Sequence, residues 1–213
     1  MDFEQIDKLC NTEFTNRLLA NKHIFYEIYE ACDSQFEKAQ GSYLFDGQNY
    51  GYCYLMYKKQ ELLYHAAKSA HNVLEIGVYV GHSLLIMLLS NPTLKITCID
   101  INDRYALPAV TVLNKHFPNA ITFIHSDSVT ALKKLQTKFD FFHVDGYHED
   151  NYIANEFELL KARNSTPDNR MRIVFDDQGC LTTLQRNILA NYKVLTHITP
   201  ECPWNNTYFE IQL

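Results

Sequence analysis

Glycine and proline are scarce in this 213-residue chain, at seven and six residues, which excludes collagen-like and Pro/Gly-rich low-complexity architectures. Long apolar runs are missing too. The longest, Leu84–Leu89, falls far short of the ~20 residues a membrane-spanning helix needs. Met1-Asp2-Phe3-Glu4 has no basic stretch leading into an apolar one, so no signal peptide is expected. The six cysteines, Cys10, Cys32, Cys53, Cys98, Cys180 and Cys202, form no C-x-x-C pair and no His-paired zinc spacing. A reduced, cytoplasmic protein fits this usage. Positive charge is also short: 19 Lys and Arg against 25 Asp and Glu leave a net charge of -6. Neither nucleic acid nor a membrane is therefore expected as partner; self-association stays open.

What is present is ordinary for a globular chain, with 46% hydrophobic and 21% charged residues. At ~100–200 residues per domain the length predicts one domain with a small appendage. Residues 1–70 carry helical spacing (Leu18, Leu19, Phe25, Ile28, Tyr29) and a Gly/Asn/Asp-rich break over 41–51. Residues 54–70 read as one helix with Leu55, Leu62, Leu63 and Ala66 on a common side. This segment is expected to be an N-terminal helical cap on a main domain at 71–213. From residue 72, short apolar runs at 73–76, 95–99, 121–124, 139–144 and 172–175 alternate with helical stretches near 82–90, 104–117, 128–137, 149–163 and 180–190. That alternation predicts a parallel sheet covered on both faces. Runs at 192–198 and 208–213 have no room for a helix between them and predict an antiparallel C-terminal hairpin. The fold class is thus α/β, Rossmann-like and doubly wound, with a mostly parallel seven-stranded sheet.

The stretch Leu74-Glu75-Ile76-Gly77-Val78-Tyr79-Val80-Gly81-His82-Ser83 passes from strand to helix, at the sheet edge where ligands bind in such folds. It differs from the dinucleotide fingerprint G-x-G-x-x-G. Its glycines are farther apart, and Glu75 would repel a pyrophosphate but suit a cationic ligand with an amino group. Gly77 would let the backbone approach a ligand, and Gly81 would let the helix pack near the strand. Asp100 ends the second strand, where it can accept from a ribose diol. Ser126-Asp127-Ser128 offers polar groups for an adenine edge. A nucleoside with an amino-acid tail and a sulfonium satisfies all three.

On these residues the chain, over roughly 53–213, resembles the class I S-adenosylmethionine-dependent methyltransferases. The loop at 74–83 looks especially like that of catechol O-methyltransferase and its bacterial small-molecule relatives. The resemblance implies S-adenosylmethionine as cofactor, with Tyr79 beside it, Ser83 at its methionine end, Asp100 on the ribose and Ser128 on the adenine; Glu75, Gly77, Gly81 and Asp127 complete the cofactor set.

Asp145 follows the fourth strand, and Asp176 and Asp177 follow the fifth. Three carboxylates in one dry cleft repel unless a cation joins them, and oxygen donors favour Mg²⁺ or Ca²⁺; loop-initiating or helix-capping acids are the plainer reading. By resemblance these three residues are expected to bind Mg²⁺, although an Asp stands where the family has an amide. His148 falls where the catechol enzymes carry a basic lysine, and is expected to be the general base. The Asp-Gly-x-His and Asp-Asp pattern is also similar to sugar and antibiotic methyltransferases, whereas the usual Gly-Gly before strand five is replaced by 164–170. The remaining histidines form no ligand spacing. The expectation is O-methylation of a small hydroxylated acceptor, with metal assistance. The alternatives are a cofactor-binding module without turnover, an RNA or protein methyltransferase, and an NAD-dependent dehydrogenase.

Overall fold

The computed structural model describes residues 3, 11–32, 40–48 and 50–213, so part of the expected cap lies outside the described residues. Seven strands form one sheet in the order β3-β2-β1-β4-β5-β7-β6. They are β1 (Asn72–Ile76), β2 (Lys95–Asp100), β3 (Ile121–His125), β4 (Phe141–Val144), β5 (Arg170–Phe175), β6 (Lys193–Ile198) and β7 (Thr207–Gln212). The first five run parallel, while β7 is antiparallel to both β5 and β6. The doubly wound sheet and its hairpin therefore agree with the apolar-run pattern.

Alternate residues of each strand feed different cores, as the period-2 geometry of strands requires. Val73, Ile96, Phe141 and Val174 join one cluster, whereas Leu74, Ile99, Phe142 and Ile173 join the other. Helices α1 (Glu13–Ala20), α2 (Lys22–Ala31), α3 (Tyr57–Ala67), α4 (His82–Ser90) and α5 (Asp103–His116) cover the first face. Helices α6 (Ser128–Lys134), α7 (Asp150–Lys161) and α8 (Thr182–Asn191) cover the second. All nine residues of α4 are buried, which explains its unbroken apolar run between two polar ends. No helix among the described residues is long and apolar enough to cross a membrane.

Residues 54–70 depart from expectation in two ways. A short 3₁₀ turn, Tyr54–Met56, precedes α3. The buried side of α3 is Lys59, Gln60, Leu63, Tyr64 and Ala67, while Leu55 is two-thirds exposed at 67%. Two polar side chains displace leucines from the interior because each has buried partners. Gln60 donates to the carbonyls of Tyr43 and Cys53 and accepts from Tyr52; Lys59 faces a carboxylate described below. The apolar residues of α1 and α2 share one continuous core with β1 and α4, so the N-terminal segment is packed into the main body.

Candidate active site

Two adjoining clefts open at the carboxyl edge of the parallel strands. The first, about 520 Å³, is lined on one side by Gly77, Tyr79, Ser83 and Asp100, and on the other by Asp127, Ser128, Asp145, His148 and Glu156. The second, about 460 Å³, is lined by Tyr43, Lys59, Asp145, His148, Asp176, Asp177 and Trp204 among others. Asp145, His148 and the segment Gln40–Ser42 border both.

The loop after β1 owes its shape to its glycines and to Asp100. Gly77 has φ +83, and a Cβ there would lie 1.9 Å from the Asp145 carbonyl oxygen; no side chain fits. Gly81, at φ +67, would press a Cβ against Ala109 and Leu113 of α5. It is a helix-packing glycine and does not line the cleft. Tyr79 sits in the left-handed region at φ 47, a conformation that side-chain-bearing residues adopt at a cost and often at functional sites. Asp100 holds the turn by accepting the Val78 and Tyr79 amides at 2.7 and 3.0 Å.

Six of the eight residues expected at the cofactor line the first cleft: Gly77, Tyr79, Ser83, Asp100, Asp127 and Ser128. Glu75, like Gly81, does not. Glu75 is fully buried beneath the loop, where one oxygen accepts from Ser83 and, at 2.8 Å, from His143 Nδ1. Burial pushes its carboxyl up, against the pull of His143. Asp127 caps α6 by accepting the Thr130 amide at 2.8 Å and also accepts from the Tyr152 hydroxyl.

Sequence reasoning missed Glu156, on α7. Ser128 donates to one of its oxygens, while the other is buried with no partner among the described residues. Burial raises this carboxyl to about 7. A buried acceptor without a donor calls for a ligand that brings one, and an adenine 6-amino group has that chemistry. With apolar Ile99, Ile101 and Tyr105 also lining the cleft, the donor set fits a nucleoside cofactor.

In the second cleft Lys59 Nζ lies 2.7 Å from Asp176 Oδ2, both side chains being 5% exposed. Burial works against the Lys59 charge, but Asp176 and Asp145 outweigh it and hold the ammonium above its ordinary value. Asp176 is pushed up by burial and by Asp145, against the pull of Lys59. His148 bridges Asp145 at 3.3 Å and Asp177 at 3.0 Å. The Asp145 hydrogen bond is the main cause of a raised imidazole pKa. Asp177 occupies the left-handed region at φ 46, which turns its carboxylate toward His148.

The expected Mg²⁺ ligands thus share one edge, but they are not a preformed cage. Among the described residues, Asp145, Asp176 and Asp177 do not bring one oxygen each within 4.8 Å of one another. Asp176 is also engaged by Lys59 and, at 3.3 Å, by the Tyr43 hydroxyl. The amide-to-Asp replacement adds a negative charge here, and a lysine and a histidine answer it. The donor set as arranged fits a divalent ion poorly.

His143 connects the two clefts. Its Nδ1 meets Glu75 and its Nε2 lies 2.9 Å from the Tyr43 hydroxyl, which donates to Asp176. A buried polar chain therefore runs Ser83–Glu75–His143–Tyr43–Asp176–Lys59. His143 reads in sequence as a satisfied sheet residue, and its partners satisfy it here.

This sheet order, the glycine turn after β1 and the ligand clefts at the carboxyl edge define a class I methyltransferase fold. Residues 74–177, about half of the chain, match a family model described as "Methyltransferase domain". The caffeoyl-CoA O-methyltransferase of Stellaria longipes is 34% identical over 99 residues, 42% of this chain and 41% of that protein. The chain spans about two fifths of the length of the curated relatives it matches. Among solved structures, an O-methyltransferase of Bacillus cereus in complex with S-adenosylhomocysteine superposes at TM-score 0.64, with 14% identity, over 90% of this chain and 91% of that one. The O-methyltransferase TomG of Streptomyces achromogenes, in complex with S-adenosylmethionine, gives 0.66 with 14% identity over 89% of this chain and 90% of that one. At such identity these two likenesses concern the fold.

Proposed function

We propose that the protein transfers a methyl group from S-adenosylmethionine to a hydroxyl oxygen of a small molecule. The observation that carries this reading is the junction of the two clefts, where His148 and Asp145 border both. A cofactor in the first and an acceptor in the second would meet at a titratable imidazole.

S-adenosylmethionine supplies an electrophilic methyl on a positive sulfur. In the first cleft Asp100 would hold the ribose, and Asp127, Ser128 and Glu156 would hold the adenine. In the second, Lys59 gives the acceptor oxygen a fixed positive charge, which lowers the cost of an alkoxide or phenolate in a water-poor site. Neutral His148 accepts the hydroxyl proton. Bound in the first cleft, the cofactor would supply the methyl to that oxygen and leave as S-adenosylhomocysteine, while His148 would carry the proton away. No covalent enzyme intermediate is needed, so alignment across the junction supplies much of the acceleration.

The competing reading has Asp145, Asp176 and Asp177 hold Mg²⁺ in support of the acceptor, as the family resemblance implies. It requires Lys59 to leave Asp176. A methyl-transfer assay on a panel of phenols and sugar hydroxyls, run with and without excess EDTA, separates the two. We expect unchanged turnover in EDTA; abolished turnover, restored by Mg²⁺, would assign the role to the metal. The absence of any methyl transfer, with S-adenosylhomocysteine still bound, would leave a cofactor-binding module.

A further inference from the structure

Far from both clefts, α2 and α5 bring two imidazoles and a carboxylate together. His23 and Glu27 lie four residues apart on α2, a spacing that puts both on one helix face. His116 ends α5, and its Nε2 lies 2.9 Å from Glu27 Oε2. The His23 and His116 rings meet edge to face with centroids 5.3 Å apart. One donor atom from each of the three lies within 4.8 Å of the others. The histidines looked unrelated in sequence because His116 stands 93 positions from His23 (116 − 23); only His23-x-x-x-Glu27 was a local signal.

We propose that His23, Glu27 and His116 form a site for a divalent transition-metal ion of the zinc class. Two imidazole nitrogens and one carboxylate oxygen make a borderline donor set, suited to Zn²⁺ or Co²⁺ and unlike the all-oxygen sets of Mg²⁺ and Ca²⁺. Tetrahedral ligands on bonds of ~2.1 Å lie roughly 3.4 Å apart, so the site closes by a modest rotation of the exposed His23. Glu27 Oε2 lies 2.9 Å from both Lys115 Nζ and His116 Nε2, which fixes the carboxylate beside the imidazole. A cavity lined by Glu27, Glu30, Ala31, Thr111, Val112 and Lys115 reaches the carboxylate of the set, giving an ion a path of entry.

Lys115 is the built-in competitor, with its Nζ 2.9 Å from the same Glu27 oxygen. Metal binding would exchange that cation for a stronger one and tie α2 to α5.

The test is a titration of the metal-free full chain with Co²⁺, read by its visible absorption, beside its melting temperature with and without Zn²⁺. We expect one equivalent with intense tetrahedral bands and no sulfur-to-metal charge transfer, and a rise in melting temperature with Zn²⁺. That equivalent should vanish in the His23→Ala/His116→Ala double variant, persist in Asp145→Ala, and bind several-fold tighter in Lys115→Ala. If the double variant does not fold, Glu27→Gln serves in its place and should weaken the same equivalent. A wild type without this equivalent, or a double variant that keeps it at equal affinity, overturns the proposal.

Discussion

At His148 two carboxylates share one imidazole, and the chemistry proposed for that residue depends on when it loses its proton. The Asp145 hydrogen bond, followed by the Asp145 and Asp177 charges, raises its pKa above 6.5 against the cost of burial. A raised histidine pKa means that the Asp145–His148–Asp177 bridge stabilises the fold fully at low pH and weakens as pH rises through the folded value. The base becomes competent over that same rise. With saturating acceptor, the rate should therefore climb with pH through a single ionisation above 6.5. His148→Ala should lose that limb and about 10²–10⁴ in rate. A variant that keeps its rate and its profile would reduce His148 to a bridge between two acids. Lys59 makes a separate prediction. Lys59→Met leaves Asp176 buried without its cation, and removing one partner of a buried ion pair costs about 3–5 kcal/mol. Urea denaturation should register that loss, and methyl transfer should fall even under conditions where the variant remains folded.

Among the elements, the loop from β1 into α4 lines the first cleft and passes through positive φ at Gly77, Tyr79 and Gly81. Because a Cβ at Gly77 would meet the Asp145 carbonyl oxygen at 1.9 Å, Gly77→Ala should displace β1 from the loop after β4. Both clefts share that boundary, so S-adenosylhomocysteine binding and melting temperature should drop together; a variant that keeps both would contradict the packing described. His82, at the start of α4, is fully buried with Nε2 2.9 Å from the Tyr50 hydroxyl, and burial lowers its pKa to about 3. The unfolded chain binds a proton near pH 6.5 and the folded chain does not. Stability from neutral His82 is thus present above 6.5 and is lost at about 1.4 kcal/mol per pH unit between 6.5 and 3. His82→Gln should flatten the acid limb of the stability curve; an unchanged limb would mean that other groups dominate it.

Much of this loop was readable beforehand, and the misreadings have physical causes. Strand-ending acids forecast that Asp100, Asp145, Asp176 and Asp177 would share one edge, because a parallel sheet sends every strand end the same way. Glu75 was expected in the cleft for its charge. It lies under the loop because a strand's side chains alternate between faces and its own face holds His143 and Ser83. Glu156 and Lys59 gave no local signal: they reach the site from helices, and a charged residue in a helix looks like solvated surface until its neighbours are known.

At the scale of the whole molecule, two core layers flank the sheet that presents the clefts. One continuous cluster runs from Phe14 and Phe25 through Val73 to Leu113, so the N-terminal helices brace the face of the sheet behind the cofactor loop. The doubly wound order was legible as alternating apolar runs and helices. The burial of Lys59 and Gln60 in place of Leu55 was not, because periodicity counts apolar residues and cannot see a buried ion pair. The claim on which everything else rests is that the first cleft takes S-adenosylmethionine. Its most direct test is calorimetric titration of the full chain with S-adenosylhomocysteine and, in parallel, with NAD. The account predicts saturable binding of S-adenosylhomocysteine at one site per chain, weakened in Asp100→Ala, and no binding of NAD. Binding of NAD, or a wild-type protein that gives no heat with S-adenosylhomocysteine, would contradict it.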